Sequence, residues 1–513
     1  MKRKNVGLAA VLAMLVLALV LSFSACSTGT VALGSGSGGG TDTVSQDESA
    51  PYVISVEQTA SDESGSSFTV YYSDGTSTTF TVAAGKDGQD GKDGQDGADL
   101  TVEDVFERYK QETGDSDITY AEFLEKYLTF TTDDSAVIAK CLTSSVKLYT
   151  EFLETTSTGS FYPGLRTTQS LYTGSGVIYD IDEEDGYTYI VTNYHVVFSS
   201  KAASANASNN ANGQYIARKI ICYLYGSEYT PVQTTTDADG DGYKDYYYSD
   251  YGVECEYVGG SITSDIAIVR AKTEELRAVN AGISEVKVAD GYTVGETAIA
   301  VGNPEGEGIS VTKGVVSVDN EYITLDIDGT SRSYRSIRID AALYSGNSGG
   351  GLFNAEGQLI GINNAGDGED QNINYAIPLE IVRGTADNIL YYYRDGDAQT
   401  SGAYKITLGV TVLSSEAKYV YDAASGTGKI TETITVDEVS ASSIAAAMGL
   451  QTGDVLTALS VNGTEYALER NFDISDRILT LRPGDEIALR YTRGEDSQLS
   501  AAYTVNAADL LSI

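Results

Sequence analysis

Tryptophan is missing from this 513-residue chain, and histidine occurs once, at position 195. A single imidazole excludes metal sites built from several histidines and confines histidine chemistry to one place. Basic residues are scarce: 33 Lys and Arg stand against 73 Asp and Glu, a net charge of -40. That balance argues against a nucleic-acid partner, which needs basic faces, and weakens electrostatic attraction to anionic membranes. The chain has 4 cysteines, too few and too sparse for a disulfide scaffold, and only 6 prolines. Present in quantity are 54 glycines and 37 tyrosines, with many Thr and Val, a composition that predicts strands joined by glycine turns. Apolar residues make up 42% of the chain, near the globular norm, and the length suits about three domains.

Residues 1–26 read as an export signal. Lys2, Arg3 and Lys4 precede an apolar run from Val6 to Phe23, and small residues follow it. Ser24-Ala25-Cys26 resembles a bacterial lipobox, with Phe23 where that motif favours Leu. The resemblance implies lipidation of Cys26 and an extracytoplasmic chain anchored to the cell membrane. The other reading of the run is an uncleaved membrane helix, with the same sidedness. Cys222 and Cys255 lie in strand-like runs flanking an insertion; they either pair or remain buried free thiols.

Residues 27–50 form a Gly/Ser/Thr tether. Residues 51–134 comprise a small strand pair with a hairpin at Asp74-Gly75, an acidic spacer of five Gly-x-Asp triplets, and a helical module over 100–129. The triplets have collagen's period but contain no proline and are too few for a stable triple helix. Residues 135–395 are mostly short strands and turns, expected to form a barrel or sandwich closed by a helix over Leu379–Tyr393. A linker covers 395–403, and 404–513 form a last unit of strands around one short helix.

Three segments carry chemistry. His195 ends the apolar run Ile190-Val191-Thr192-Asn193-Tyr194. Asp265 stands directly before Ile266-Ala267-Ile268-Val269, at the mouth of a strand, where it can be desolvated and still accept a hydrogen bond. A general base needs such an orienter to set its tautomer and stabilise its imidazolium. Ser348 sits in Gly346-Asn347-Ser348-Gly349-Gly350, where glycines permit a tight turn whose N–H groups converge on a developing oxyanion. GNSGG also fits G-x-S-x-G, but the only histidine precedes the serine, so the α/β-hydrolase order cannot form. The order His–Asp–Ser on a strand-rich chain suits a pair of β-barrels.

TNYHVV, SDIAIV, AVGNPEGEGISVTKGVVS, DAALYSGNSGGGLFN and INYAIP, in that order, resemble the HtrA/DegP branch of trypsin-like serine proteases. The resemblance implies a mainly β, chymotrypsin-like pair of six-stranded barrels with the site between them. It implies His195 as general base and acid, Asp265 as its orienter and Ser348 as nucleophile. The oxyanion hole would come from backbone N–H groups of the Gly346-Asn347-Ser348 stretch, those of Gly346 and Ser348 foremost. Ala342, six residues before the serine, would line the S1 base, and Asn374, Tyr375 and Ala376 would form a wall, which suits small or medium apolar P1 residues. No metal, nucleotide or other cofactor is implied; a homotrimer is. The chain departs from the family at Tyr194, at Tyr344-Ser345 and in insertions between 200 and 252.

One insertion carries Asp237, Asp239, Asp241 and Asp245 at the spacing of a calcium loop. Its twelfth position is Tyr248 and no helix flanks it, so a solvated acidic hairpin tip is favoured over a weak calcium site. In the last unit, Thr407-Leu408-Gly409-Val410 and the segment 434–463 resemble a PDZ domain. That resemblance implies capture of unfolded or C-terminal peptide segments along a strand edge, the carboxylate held by main-chain N–H groups. The sequence thus supports an anchored, ATP-independent serine endopeptidase, or a non-catalytic relative that only binds.

Overall fold

The computed structural model describes residues 134–513 apart from 158–163, 204–210, 367–369, 371, 396–401 and 424–426. Before that segment it describes residues 53–62, 65–72, 76–83 and a few single positions. The signal and lipobox with Cys26, the tether, the Gly-x-Asp spacer and nearly all of the expected helical module lie outside the described residues. Among the described residues no helix is long and apolar enough to cross a membrane. Residues 1–127 and 128–513 form two units. In the first, β1 (Val53–Asp62), β2 (Gly65–Tyr72) and β3 (Ser77–Ala83) make a three-stranded antiparallel sheet. The predicted hairpin is β2–β3, with Tyr71 opposite Ser77; the expectation of a strand pair missed β1.

The second unit begins with α1 (Asp134–Thr143), which sequence reading had not separated from the strands. Six strands then close a barrel in the order β10-β11-β6-β5-β4-β7. They are β4 (Ser145–Ser157), β5 (Leu165–Asp182), β6 (Tyr187–Thr192), β7 (Lys219–Leu224), β10 (Val253–Ser261) and β11 (Ile266–Lys272). The short pair β8 (Val232–Gln233) and β9 (Tyr246–Tyr247) belongs to the insertion. Leu148, Phe152, Ile178, Ile190, Ile220 and Val269 fill this barrel. Fully burying each such side chain contributes about 1.5–3 kcal/mol.

The second barrel uses β12 (Lys287–Val288), β13 (Thr297–Gly302), β14 (Ser310–Asp326), β15 (Ser331–Ile339), β16 (Gly351–Phe353), β17 (Gln358–Gly366) and β18 (Asn374–Pro378). The sheet runs β12-β17-β16-β13-β14-β15-β18, and pairing of β17 with β18 closes six of these strands, leaving β12 as a parallel flank. A shared core joins the barrels: Val177, Tyr189 and Val191 of the first meet Ile299, Val301 and Phe353 of the second, covered by Val382, Ala386 and Ile389. The last three belong to α4 (Leu379–Asp395), the expected closing helix; α2 (Tyr194–Val197) and α3 (Thr273–Val279) are short.

From Tyr404 the chain forms a separate core around Ile434, Leu456, Leu459, Ile487 and Leu489. After the short β19 (Tyr404–Lys405), its sheet is β20 (Val410–Asp422), β21 (Thr427–Val439), β22 (Val455–Val461), β24 (Glu486–Arg493) and β25 (Asp496–Leu499), in that order, with β20 at an edge and β23 (Thr464–Ala467) paired to β22. The expected short helix is α5 (Ile444–Ala447), whose N-terminus is capped where the Ala446 N–H donates to Ser443 Oγ. A second helix, α6 (Asp473–Ile478), corrects the reading of one helix: six residues are too short for periodicity to reveal. Asn388 of α4 fastens this core to the barrels, donating through Nδ2 to the carbonyls of Tyr404 and Leu479, each at 2.8 Å.

Candidate active site

Tight turns at the barrel ends bring the three predicted residues toward one another. Asp265 ends the turn before β11 with φ +52°, a left-handed conformation that Asp and Asn tolerate better than most residues. Its side chain is fully buried. The turn is locked to the histidine segment by main chain: Tyr194 N–H donates to Asp265 O at 3.1 Å and Asn193 Nδ2 at 3.0 Å. The Asp265 carboxylate then takes two N–H groups of His195, the main chain at 2.9 Å and Nδ1 at 2.8 Å. Both ring position and tautomer are therefore set by one carboxylate, leaving Nε2 as the basic nitrogen. The imidazole is 31% exposed. Burial pulls its pKa down, but the charge and hydrogen bond of Asp265 outweigh this and leave it above the ordinary 6.5.

The serine turn needs its glycines for space as well as conformation. Gly346 and Gly349 have φ of +99° and +85°. A Cβ on Gly349 would overlap the Ser175 carbonyl and the Thr192 hydroxyl, so the loop lies against the end of β6, three residues before His195. The Ser348 hydroxyl donates to the Asn364 carbonyl at 2.9 Å; among the described residues no hydrogen bond joins it to His195. Apo geometry of this kind does not exclude a nucleophile–base pair that tightens with substrate.

The N–H groups of Gly346 and Ser348 donate to no acceptor among the described residues, whereas Asn347 N–H is taken by Tyr344 O at 3.0 Å. The expectation that Asn347 shares the oxyanion hole is corrected on that ground: its amide closes the turn. Asn374 is buried, with Oδ1 so near Gly366 that a Cβ there would lie 2.7 Å away, and Ala342 receives the Thr312 hydroxyl on its carbonyl at 2.8 Å. Tyr375 pairs with Arg338 and Ala365. Ala376 is fully buried and packs in the second barrel's core with Ile337, Ala341 and Leu343.

At the edge of the last unit, Leu408 is buried, Gly409 has φ +71°, Val410 starts β20, and Thr407 precedes them in an irregular stretch. The carbonyls of Leu408 and Gly409 are used by Ala445 and Ser440 N–H, while the N–H groups of Leu408 and Gly409 meet no acceptor among the described residues.

Carboxylate oxygens of Asp237, Asp239 and Asp241 lie within 4.8 Å of one another. Asp245 is not in that cluster; its carboxylate accepts from Ala238 N–H at 2.7 Å. Arg218, itself paired with buried Glu151, sets its guanidinium on Asp241. The place of a cation is thus partly filled by a side chain, which fits the acidic hairpin better than the calcium loop. Cys222 and Cys255 are buried free thiols on neighbouring strands, Cys222 opposite Val253 and Cys255 opposite Ile220. The neighbouring Cys222 thiol and burial push Cys255 well above its ordinary pKa.

Sequence reading passed over Ser175, Thr192, Asn303 and Asn364, which surround the serine turn. Thr192 and Asn303 lie inside the TNYHVV and AVGNPEGEGISVTKGVVS motifs, and glycines flank Ser175 in Gly174-Ser175-Gly176.

Residues 174–362 match the family described as the trypsin-like peptidase domain. The chain is 29% identical over 249 residues to the putative serine protease HhoB of Synechocystis, covering 48% of this chain and 57% of that protein. It is 25% identical over 350 residues to the serine protease Do-like HtrA of Lactococcus lactis, covering 66% and 72%. It is 30% identical over 296 residues to the periplasmic serine endoprotease DegP of Escherichia coli, covering 56% and 48%. The chain thus spans between about half and three quarters of the length of these relatives. Geometry and likeness point the same way: residues 174–362 match the trypsin-like peptidase domain, in a chain similar to serine proteases of the HtrA and DegP kind.

Proposed function

We propose that the chain is an ATP-independent serine endopeptidase cleaving unfolded or damaged proteins outside the cytoplasm, tethered through a lipid on Cys26, with residues 404–513 acting as a peptide-binding PDZ domain. The observation that carries the reading is the doubly held His195–Asp265 pair beside a serine turn with two unengaged N–H groups. Substrate would release the Ser348 hydroxyl from Asn364 O, and His195 Nε2 would take its proton as Oγ attacks the scissile carbonyl. Asp265 would stabilise the imidazolium, and Gly346 and Ser348 N–H would receive the oxyanion. His195 would then protonate the leaving amine; water, deprotonated by the same nitrogen, would attack the acyl carbon, and His195 would return that proton to Ser348 Oγ as the acyl C–Oγ bond breaks.

With Ala342 at the base of the expected S1 pocket and Asn374, Tyr375 and Ala376 as its wall, no carboxylate waits for a basic side chain. Val, Ala or Ile at P1 follows, with loose preference, since a methylene is worth only about 1–3 kcal/mol. For the PDZ reading, the support is the edge position of β20 and the two unengaged amides at Leu408 and Gly409.

The alternative of a non-catalytic peptide-binding relative draws on the Ser348 hydroxyl resting on Asn364 O. A fluorophosphonate probe separates the two. Labelling at Ser348 that is lost in Ser348→Ala supports the enzyme; no labelling across the pH range, with peptide present, supports the binder.

A further inference from the structure

Ser175 lies on β5 of the first barrel and belongs to neither the base nor the nucleophile, yet its N–H and hydroxyl both donate to the serine turn. It is 1% exposed. Its main-chain N–H donates to Ser348 O at 2.9 Å. Its carbonyl accepts from the Thr192 hydroxyl at 2.7 Å, three residues before His195. Its hydroxyl donates to Gly346 O at 2.8 Å and accepts from Asn303 N–H at 2.9 Å. Flanking glycines let the strand come this close: a Cβ on Gly174 would lie 2.6 Å from a Val196 methyl.

One residue therefore draws back the carbonyls of both Gly346 and Ser348. A planar peptide puts the Gly346 carbonyl in one plane with Asn347 N–H and the Ser348 carbonyl in one plane with Gly349 N–H. Ser175 therefore acts on the N–H groups of Gly346 and Ser348 through φ and ψ of those residues, while their own planes are held by Glu305 N–H on Ser345 O at 2.6 Å and Gly350 N–H on Asn347 O at 3.0 Å. The pinned carbonyls belong to the two residues whose N–H groups remain unengaged. We propose that Ser175 is the positioning residue of the oxyanion loop, its hydroxyl holding the 346–348 turn in the form that keeps two N–H donors ready for the transition state. The inference rests on Ser348 being the nucleophile. The Asn303 contact extends the hold into the second barrel, so the hydroxyl also ties the two halves of the cleft together. Without it, Gly346 O and Asn303 N–H lose their partner in a buried place, and the turn gains a reason to rotate toward another one.

The experiment compares Ser175→Thr with Ser175→Val, which have the same shape and differ in the hydroxyl, in the full chain. Fluorophosphonate labelling of the unaltered protein comes first; if that fails, the protease reading fails and Ser175 is not at issue. With labelling present, Ser175→Val is expected to lower kcat and the labelling rate about 100-fold, the range for loss of an oxyanion donor. KM and affinity for a product peptide should stay within about twofold, and affinity for a peptidyl boronate, which mimics the tetrahedral state, should fall in step with kcat. Ser175→Thr should recover most of the rate. A purely structural role would not split boronate from product binding. Val and Thr variants with equal kcat, or a Val variant that loses product and boronate binding alike, would overturn the proposal. Should Ser175→Val not fold, the same comparison is read from Ser175→Ala.

Discussion

Replacing Asp265 by Asn isolates what the buried carboxylate does for His195. Asn tolerates the left-handed backbone at 265 and is isosteric, so the turn before β11 should persist. The carboxylate accepts from two donors, His195 N–H at 2.9 Å and Nδ1 at 2.8 Å. A carboxamide has one acceptor oxygen, so one of these donors must face an NH2 group. If Nδ1 does, the ring adopts the other tautomer, its proton moves to Nε2, and Nε2 can no longer take the Ser348 proton. Loss of the correct tautomer costs about 10⁴-fold in kcat, or about 5.5 kcal/mol at about 1.4 kcal/mol per decade.

The pH profile supplies an independent sign. His195 must be neutral to act as base, so kcat/KM rises as pH climbs through its pKa. In the unaltered protein that midpoint lies above 6.5, because the charge and hydrogen bond of Asp265 outweigh burial. In Asp265→Asn only burial remains, so the acid limb shifts to lower pH while the plateau falls. Both are read from cleavage of an internally quenched peptide with Val or Ala at P1. A variant retaining kcat within tenfold, with an unmoved acid limb, would refute this account of the site.

Four further outcomes follow from the same coordinates. Gly349→Ala should cost about 1–3 kcal/mol more than Gly295→Ala in chemical unfolding, and should abolish labelling at Ser348. Both glycines have positive φ, but only at 349 would a Cβ meet backbone; equal costs would contradict the packing described for the turn. Arg335, 4% exposed, pairs with Asp476 of α6 at 2.5 Å, lies near Glu380 and stacks on Phe472. Above about pH 7, where Asp476 is ionised, Arg335→Met should destabilise the unit by about 3–5 kcal/mol by leaving that buried carboxylate unpaired, and a loss below about 1 kcal/mol there would count against it. Burial, opposed by Arg335, pushes Asp476 up to about 7. Since that folded value exceeds the unfolded one, its contribution is full below about pH 4 and is lost as pH rises toward 7. The stability of the unaltered protein relative to Asp476→Asn should therefore fall over that window, and a flat difference would refute it. Finally, because Arg218 already sits on Asp241, millimolar calcium should leave the melting temperature unchanged, whereas a saturable rise would identify a cation site.

Much of the site was legible along the chain because its chemistry is concentrated in short runs. His195 after an apolar strand, Asp265 before another, and Ser348 among glycines each announce themselves locally, and their order excludes the hydrolase fold. The barrels were legible as alternating strands, and the β2–β3 hairpin as a turn signal. Less was readable wherever a role depends on what lies opposite. Asn347 counts among the oxyanion donors along the chain, but its N–H is taken by Tyr344 O. Asp245 fitted a calcium spacing until its carboxylate was found on the Ala238 amide.

What the sequence by itself determined was the inventory and its order: one imidazole, a carboxylate at a strand mouth, a serine in a turn only glycines can make, and enough alternating apolar residues to close two barrels. Only the tertiary structure decided which donors stay unengaged, where the serine hydroxyl rests, and that Ser175 holds the turn from the opposite barrel. Hydrogen bonds between residues 171 positions apart leave no periodic trace, because their partners are set by packing, and packing has no signature in local spacing.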